Sequence, residues 1–100
     1  MAGFVLTQKA RKDLLEIALY TFERWGREQR NMYLNMMDDC FQQLAANPHI
    51  GIDCSDIRTG YRKMQAGSHV IFYRAKSTQT IEIVRILHGR MDLETHFPTP

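Results

Sequence analysis

Thr80-Ile81-Glu82-Ile83-Val84-Arg85-Ile86-Leu87-His88 is the stretch from which the architecture can be read. At the two-residue period of a strand, Ile81, Ile83 and Leu87 share one face with Arg85, while Val84 and Ile86 share the other with Glu82 and His88. A strand that is apolar on both faces is covered on both, so it belongs inside a sheet and needs a neighbour on each side. The preceding segment His69–Ala75 supplies one neighbour, joined through Lys76-Ser77-Thr78-Gln79. A third segment, Ile57–Gln65, precedes that one across Ala66-Gly67-Ser68. Connections this short make the three an antiparallel meander. Phe4-Val5-Leu6, a brief apolar run near the amino terminus, is placed on the other side of the 80–88 strand.

Between these β segments the period changes. Thr7 is a good helix N-cap, and after it Ala10, Leu14, Ile17, Ala18, Phe22 and Trp25 recur at helical spacing, which predicts one apolar face. Gly26 ends this helix, because glycine accepts the left-handed backbone that follows a last turn. A second stripe, Tyr33, Met36, Met37, Cys40, Phe41 and Leu44, runs until Asn47-Pro48. Two helices separated by one glycine fold back as an antiparallel hairpin. The methionines beside the second stripe suit a core or a partner groove. Pro48–Asp56 reads as a turn-rich connector. The expected class is α+β, in the order β-α-α-β-β-β, with the helical hairpin across a mainly antiparallel four-stranded sheet.

One hundred residues, 44% hydrophobic and 24% charged, form one domain over 1–100: hairpin at about 8–46, meander at about 57–88 and a tail at 89–100. Cys40 and Cys54 fit neither a CxxC nor a Cys/His ligand spacing, no apolar run approaches a membrane span, and Met1–Thr7 is too short for a signal peptide. A soluble cytoplasmic protein with reduced thiols is expected. Net charge is only +2, yet from Arg58 to Arg90 seven basic residues (Arg58, Arg62, Lys63, Arg74, Lys76, Arg85, Arg90) stand against Glu82 alone. Such a segment favours an acidic partner, or else forms solvated strand faces.

No GxGxxG, Walker loop, HExxH or HxE followed by CxxC occurs, so nucleotide and metal chemistry are not indicated and neither cofactor nor metal is expected. The polar residues near the meander include Arg62, His69, Arg85, His88 and Arg90, a set that phosphodiester cleavage could use if base, acid and arginine converged. Arg85 interrupts an apolar alternation. It either pairs with a carboxylate such as Asp92 or Glu94 or touches a target. Trp25, between Arg24 and Arg27, reads equally as a binding hot spot and as a buried cap on the first stripe. Tyr20 is an exposed contact or a boundary residue.

Ile57-Arg58-Thr59-Gly60-Tyr61-Arg62-Lys63, then Gly67-Ser68-His69-Val70-Ile71-Phe72-Tyr73, then Ile83-Val84-Arg85-Ile86-Leu87-His88, together resemble the ParE toxins of bacterial toxin-antitoxin modules. Ala10–Thr21 follows the pattern ADLxxIAxYT, and the Trp25-Gly26 bend and Met91-Asp92 fall in the same order. The resemblance implies a RelE/ParE-like fold and a toxin, not an enzyme, that inhibits DNA gyrase and stabilises its cleaved-DNA complex. It also implies a ParD-like antitoxin whose carboxy-terminal segment wraps the toxin, with no membrane partner and no sequence-specific nucleic-acid binding. On this reading Arg11, Leu15, Leu19, Arg58, Arg62 and Arg74 are the candidate antitoxin contacts. Trp25, Arg27, Arg85, His88, Arg90 and the tail beyond are the candidate gyrase contacts. The RelE-like ribosome-dependent mRNA endonucleases share the fold and are the alternative. Where they resemble one another in a tyrosine-arginine pair this chain has His69-Val70, and their terminal catalytic tyrosine is matched at best by Phe97, which cannot exchange a proton. Arg62, His69, His88 and Arg90 keep that alternative open.

Overall fold

A computed structural model describes residues 3–89. The order is β1 (Gly3–Leu6), α1 (Gln8–Trp25), α2 (Arg27–Ala46), a 3-10 turn (Pro48–Ile50), β2 (Ile52–Asp53), β3 (Arg62–Ala66), β4 (His69–Ala75) and β5 (Thr80–His88). The sheet runs β1-β5-β4-β3-β2; β1 pairs with β5 in parallel and every other pair is antiparallel. The α+β hairpin-on-sheet architecture and the interior position of the 80–88 strand are as expected.

The strand count is five rather than four. Ile52–Asp53 inside the expected connector pairs with Lys63 and Arg62, a ladder too short to show a period in the sequence. The strand expected over Ile57–Gln65 begins only at Arg62. Residues 54–61 form turns instead: the amides of Ile57 and Arg58 both donate to the Cys54 carbonyl, at 2.9 and 3.2 Å, and Tyr61 donates to Arg58 at 3.1 Å.

Thr7 caps α1 as its sequence suggests. Its Oγ1 accepts from the Ala10 amide at 3.0 Å and donates to the Val84 carbonyl at 2.8 Å, so one side chain ends a strand, starts a helix and ties both to β5. Gly26 takes φ +90 between the two helices, a conformation that other residues rarely adopt. Gly67 opens the two-residue β3–β4 turn at φ +59, where a Cβ would lie 2.7 Å from the Tyr33 hydroxyl.

The helix-side core gathers Ala10, Ile17, Met37, Phe41 and Leu44 against Ile71, Tyr73, Ile81, Ile83 and Ile86. A smaller cluster on the other sheet face joins Cys54 and Tyr61 to Phe72 and Leu87, so the 54–61 turns cover that face. Fully burying a side chain such as Leu44 or Ile83 contributes about 1.5–3 kcal/mol. The strict alternation expected for β5 is broken. Across the ladder Phe72 opposes Arg85 and Tyr73 opposes Ile83, which leaves Val84 as a bulge. The extra residue resets the faces, so Ile86 joins Ile81 and Ile83 in the helix-side core and Leu87 moves to the opposite cluster. Phe22 and Trp25, expected in the first helix's apolar face, are 43% and 64% exposed, because the buried stripe of α1 closes at Thr21. Cys40 and Cys54 are free and buried, and burial raises both thiol pKa values. Among the described residues no helix is long and apolar enough to cross a membrane, and no cluster of three metal-binding side chains occurs.

Candidate functional site

β1 stops at Leu6, so the outer edge of β5 beyond Ile83 has no strand beside it. The first turns of α1 fill the vacancy. The Thr7 amide donates to the Ile83 carbonyl at 3.0 Å, and the Asp13 carboxylate accepts the Ile86 amide at 3.0 Å. Asp13 also takes two hydrogen bonds from the Arg85 guanidinium, from Nε at 2.8 Å and from a terminal nitrogen at 2.9 Å. Arg85 is thereby held charged, its pKa raised chiefly by the Asp13 hydrogen bond. The carboxylate partner expected at Asp92 or Glu94 is Asp13 instead, seventy-two positions away in the chain.

Beside this latch a groove of about 700 Å³ opens between α1, the start of α2 and the ends of β4 and β5. Glu16, Tyr20, Trp25, Tyr33, His69 and His88 are among its lining residues. Tyr20 and Trp25 are 61% and 64% exposed, which decides both open readings in favour of exposure. At the inner end the Tyr33 hydroxyl shares a hydrogen bond with His69 Nδ1 at 2.6 Å and accepts the Ser68 amide at 3.0 Å. His69 faces His88 directly across the ladder, with the rings edge-to-face at 5.5 Å. The His69 pKa is lowered by burial first and by His88 second, with Asp13 opposing, so the ring is neutral at neutral pH.

Of the candidate gyrase contacts, Trp25 and His88 line this groove, Arg85 lies beneath it in the Asp13 latch, and Arg27 is exposed at the hairpin bend. Arg90 and the tail lie outside the described residues. The candidate antitoxin contacts divide. Arg11, Leu15 and Leu19 follow one another at four-residue intervals on the exposed side of α1, with Phe22 extending the row under the Arg30 guanidinium at 5.2 Å. Arg58 and Arg74 flank the Tyr61 ring at 5.8 and 5.9 Å, on the far sheet face. Arg62 points elsewhere and donates to the Gly51 carbonyl at 2.8 Å. The basic segment is also partly neutralised: Arg74 reaches Glu82 at 3.0 Å, Lys76 reaches it at 4.0 Å, and Arg85 is paired with Asp13.

Sequence reasoning missed Asp13 and Glu16 and assigned Tyr33 only to the second apolar stripe. Glu16 and Tyr20 do sit four apart on one flank of α1, a signal that becomes meaningful only once that flank is known to border a groove.

Residues 4–93 match the family described as ParE toxin of type II toxin-antitoxin system, parDE. The chain is 45% identical over 91 residues to Toxin ParE1 of Mycobacterium tuberculosis, covering 91% of this chain and 93% of that one. It is 35% identical over 96 residues to Toxin ParE1 of Caulobacter vibrioides, covering 96% and 98%. Among solved structures, a chain of the chromosomal ParDE TA system from P. aeruginosa superimposes with a TM-score of 0.73 at 21% identity, covering 88% of this chain and 95% of that one, a likeness of fold. With a family match across nearly its whole length and relatives this similar, the chain belongs to the ParE toxin family of type II toxin-antitoxin systems.

Proposed function

We propose that this protein is the toxin of a type II toxin-antitoxin module, that it inhibits DNA gyrase by binding and stabilises the cleaved-DNA complex, and that a ParD-like antitoxin in the cytoplasm neutralises it. The match to the ParE family over residues 4–93 carries the reading. The surface supports it. The row Arg11, Leu15, Leu19 and Phe22 offers apolar side chains at the spacing that a folding-upon-binding antitoxin segment can cover, and on the other face Arg58, beside the Glu82-paired Arg74, offers a cation to its acidic groups. Binding rather than bond cleavage is supported by the engagement of Arg85 with Asp13 and of Arg62 with Gly51, which turns two arginines that a nuclease would aim at phosphate toward the protein itself.

The test is a supercoiling and cleavage assay with purified gyrase, run beside translating ribosomes. Loss of supercoiling with accumulation of cleaved DNA, reversed by a ParD-like antitoxin, is expected, with messenger RNA left intact. Normal gyrase activity together with cut messenger RNA overturns the proposal.

A further inference from the structure

We infer that the groove beside α1 receives a cationic side chain, an arginine or lysine presented by a protein partner, and that Glu16 and the Tyr20 and Trp25 rings recognise it. This goes beyond the toxin reading and holds whichever macromolecule supplies the side chain.

The groove is walled by aromatic rings, and two of them, Tyr20 and Trp25, stay more than half exposed although the core has ample apolar material without them. Two carboxylates line it. Asp13 is committed to Arg85 and the Ile86 amide, whereas Glu16 is exposed and makes no ion pair among the described residues. No lysine or arginine is among the lining residues, and His69 at the inner end is held neutral by burial. Glu16 acts electrostatically on Arg85, so Asp13, Glu16 and Arg85 together leave one net negative charge beside the π faces. This combination attracts a guanidinium or ammonium group and repels phosphate. Arg24, the chain neighbour of Trp25, already holds its guanidinium 5.7 Å from the centroid of that ring, and the ring remains 64% exposed. A basic protein of net charge +2 would bind a nucleic-acid backbone through other surfaces, and this groove is fitted to protein.

Trp25 is the single tryptophan, so intrinsic fluorescence reports on the groove directly. The probes are N-acetyl-arginine amide, its neutral isostere N-acetyl-citrulline amide, and inorganic phosphate. The arginine probe should give a saturable change in emission, about tenfold tighter than citrulline, and phosphate should give none. Glu16→Gln, an exposed position whose change leaves the thermal midpoint where it was, should bring arginine to within about twofold of citrulline. Tyr20→Ala should weaken the arginine probe about threefold. Equal responses to arginine and citrulline, saturation by phosphate, or a preference unchanged in Glu16→Gln would each overturn the inference. A gyrase assay that fails while these titrations succeed removes only the assigned target.

Discussion

The Asp13 latch makes the most demanding prediction. In Asp13→Ala, two charge-assisted hydrogen bonds to Arg85 and one from the Ile86 amide are lost together. The side chains of Arg85 and Asp13 are 15% and 11% exposed, so without the carboxylate water solvates the guanidinium only in part. An ion pair broken on one side in a fully dry interior costs about 3–5 kcal/mol, and the residual exposure puts this variant at the lower end, about 3 kcal/mol. For a chain of 100 residues that corresponds to a fall in Tm of about 15 °C. Arg85→Met should cost less, about 1.5 kcal/mol, because Asp13 keeps the hydrogen bond from the Ile86 amide, which stabilises its charge. In the double variant the Ile86 amide is still unpaired but no charge is stranded, so the two changes should fall short of additivity by about 1.5 kcal/mol. Urea unfolding of the four proteins measures the cycle. Additive losses, or an Asp13→Ala cost below about 1 kcal/mol, would refute the view that α1 is fastened to the open edge of β5 by this carboxylate.

Two further outcomes can be checked on the same material. The buried Tyr73 hydroxyl donates to the Pro48 carbonyl at 2.7 Å and accepts the Gly51 amide at 3.0 Å, so Tyr73→Phe leaves both groups unpaired and should lower stability by about 2 kcal/mol in a urea titration; a change under about 0.5 kcal/mol would contradict it. His69 has a folded pKa below its ordinary 6.5, so between those values the unfolded chain binds the proton and the folded one does not. Its contribution is complete above pH 6.5 and is lost as pH falls toward the folded value. Unfolding at pH 7.5, 6.5 and 5.5 should therefore show declining stability, with a shallower decline in His69→Gln; the same slope in both proteins would count against it.

Periodicity made much of this fold readable. The ends of β4 and β5, the Thr7 cap and the Gly26 bend all follow from local pattern, because a helix or a long strand repeats its signal several times. β2 has two residues and repeats nothing. The bulge at Val84 also escapes, since one inserted residue leaves the apolar count of the strand unchanged while exchanging the faces of Ile86 and Leu87. The groove was half visible: Trp25 and His88 stood out as residue types, whereas Tyr33 and Asp13 did not, their partners being 36 and 72 positions away.

By itself the sequence determined the order of the two helices and the four longer strands, most of the stripe that α2 buries, and the family to which the chain is similar, because each is written in near neighbours or in ordered blocks of residues. Only the tertiary structure decided which carboxylate Arg85 meets, that Trp25 stays outside the core, and that Glu16 lines the groove beside its rings. Those outcomes depend on where β1 ends and how far the sheet extends beneath α1, and such boundaries arise when separate elements pack rather than within any one of them.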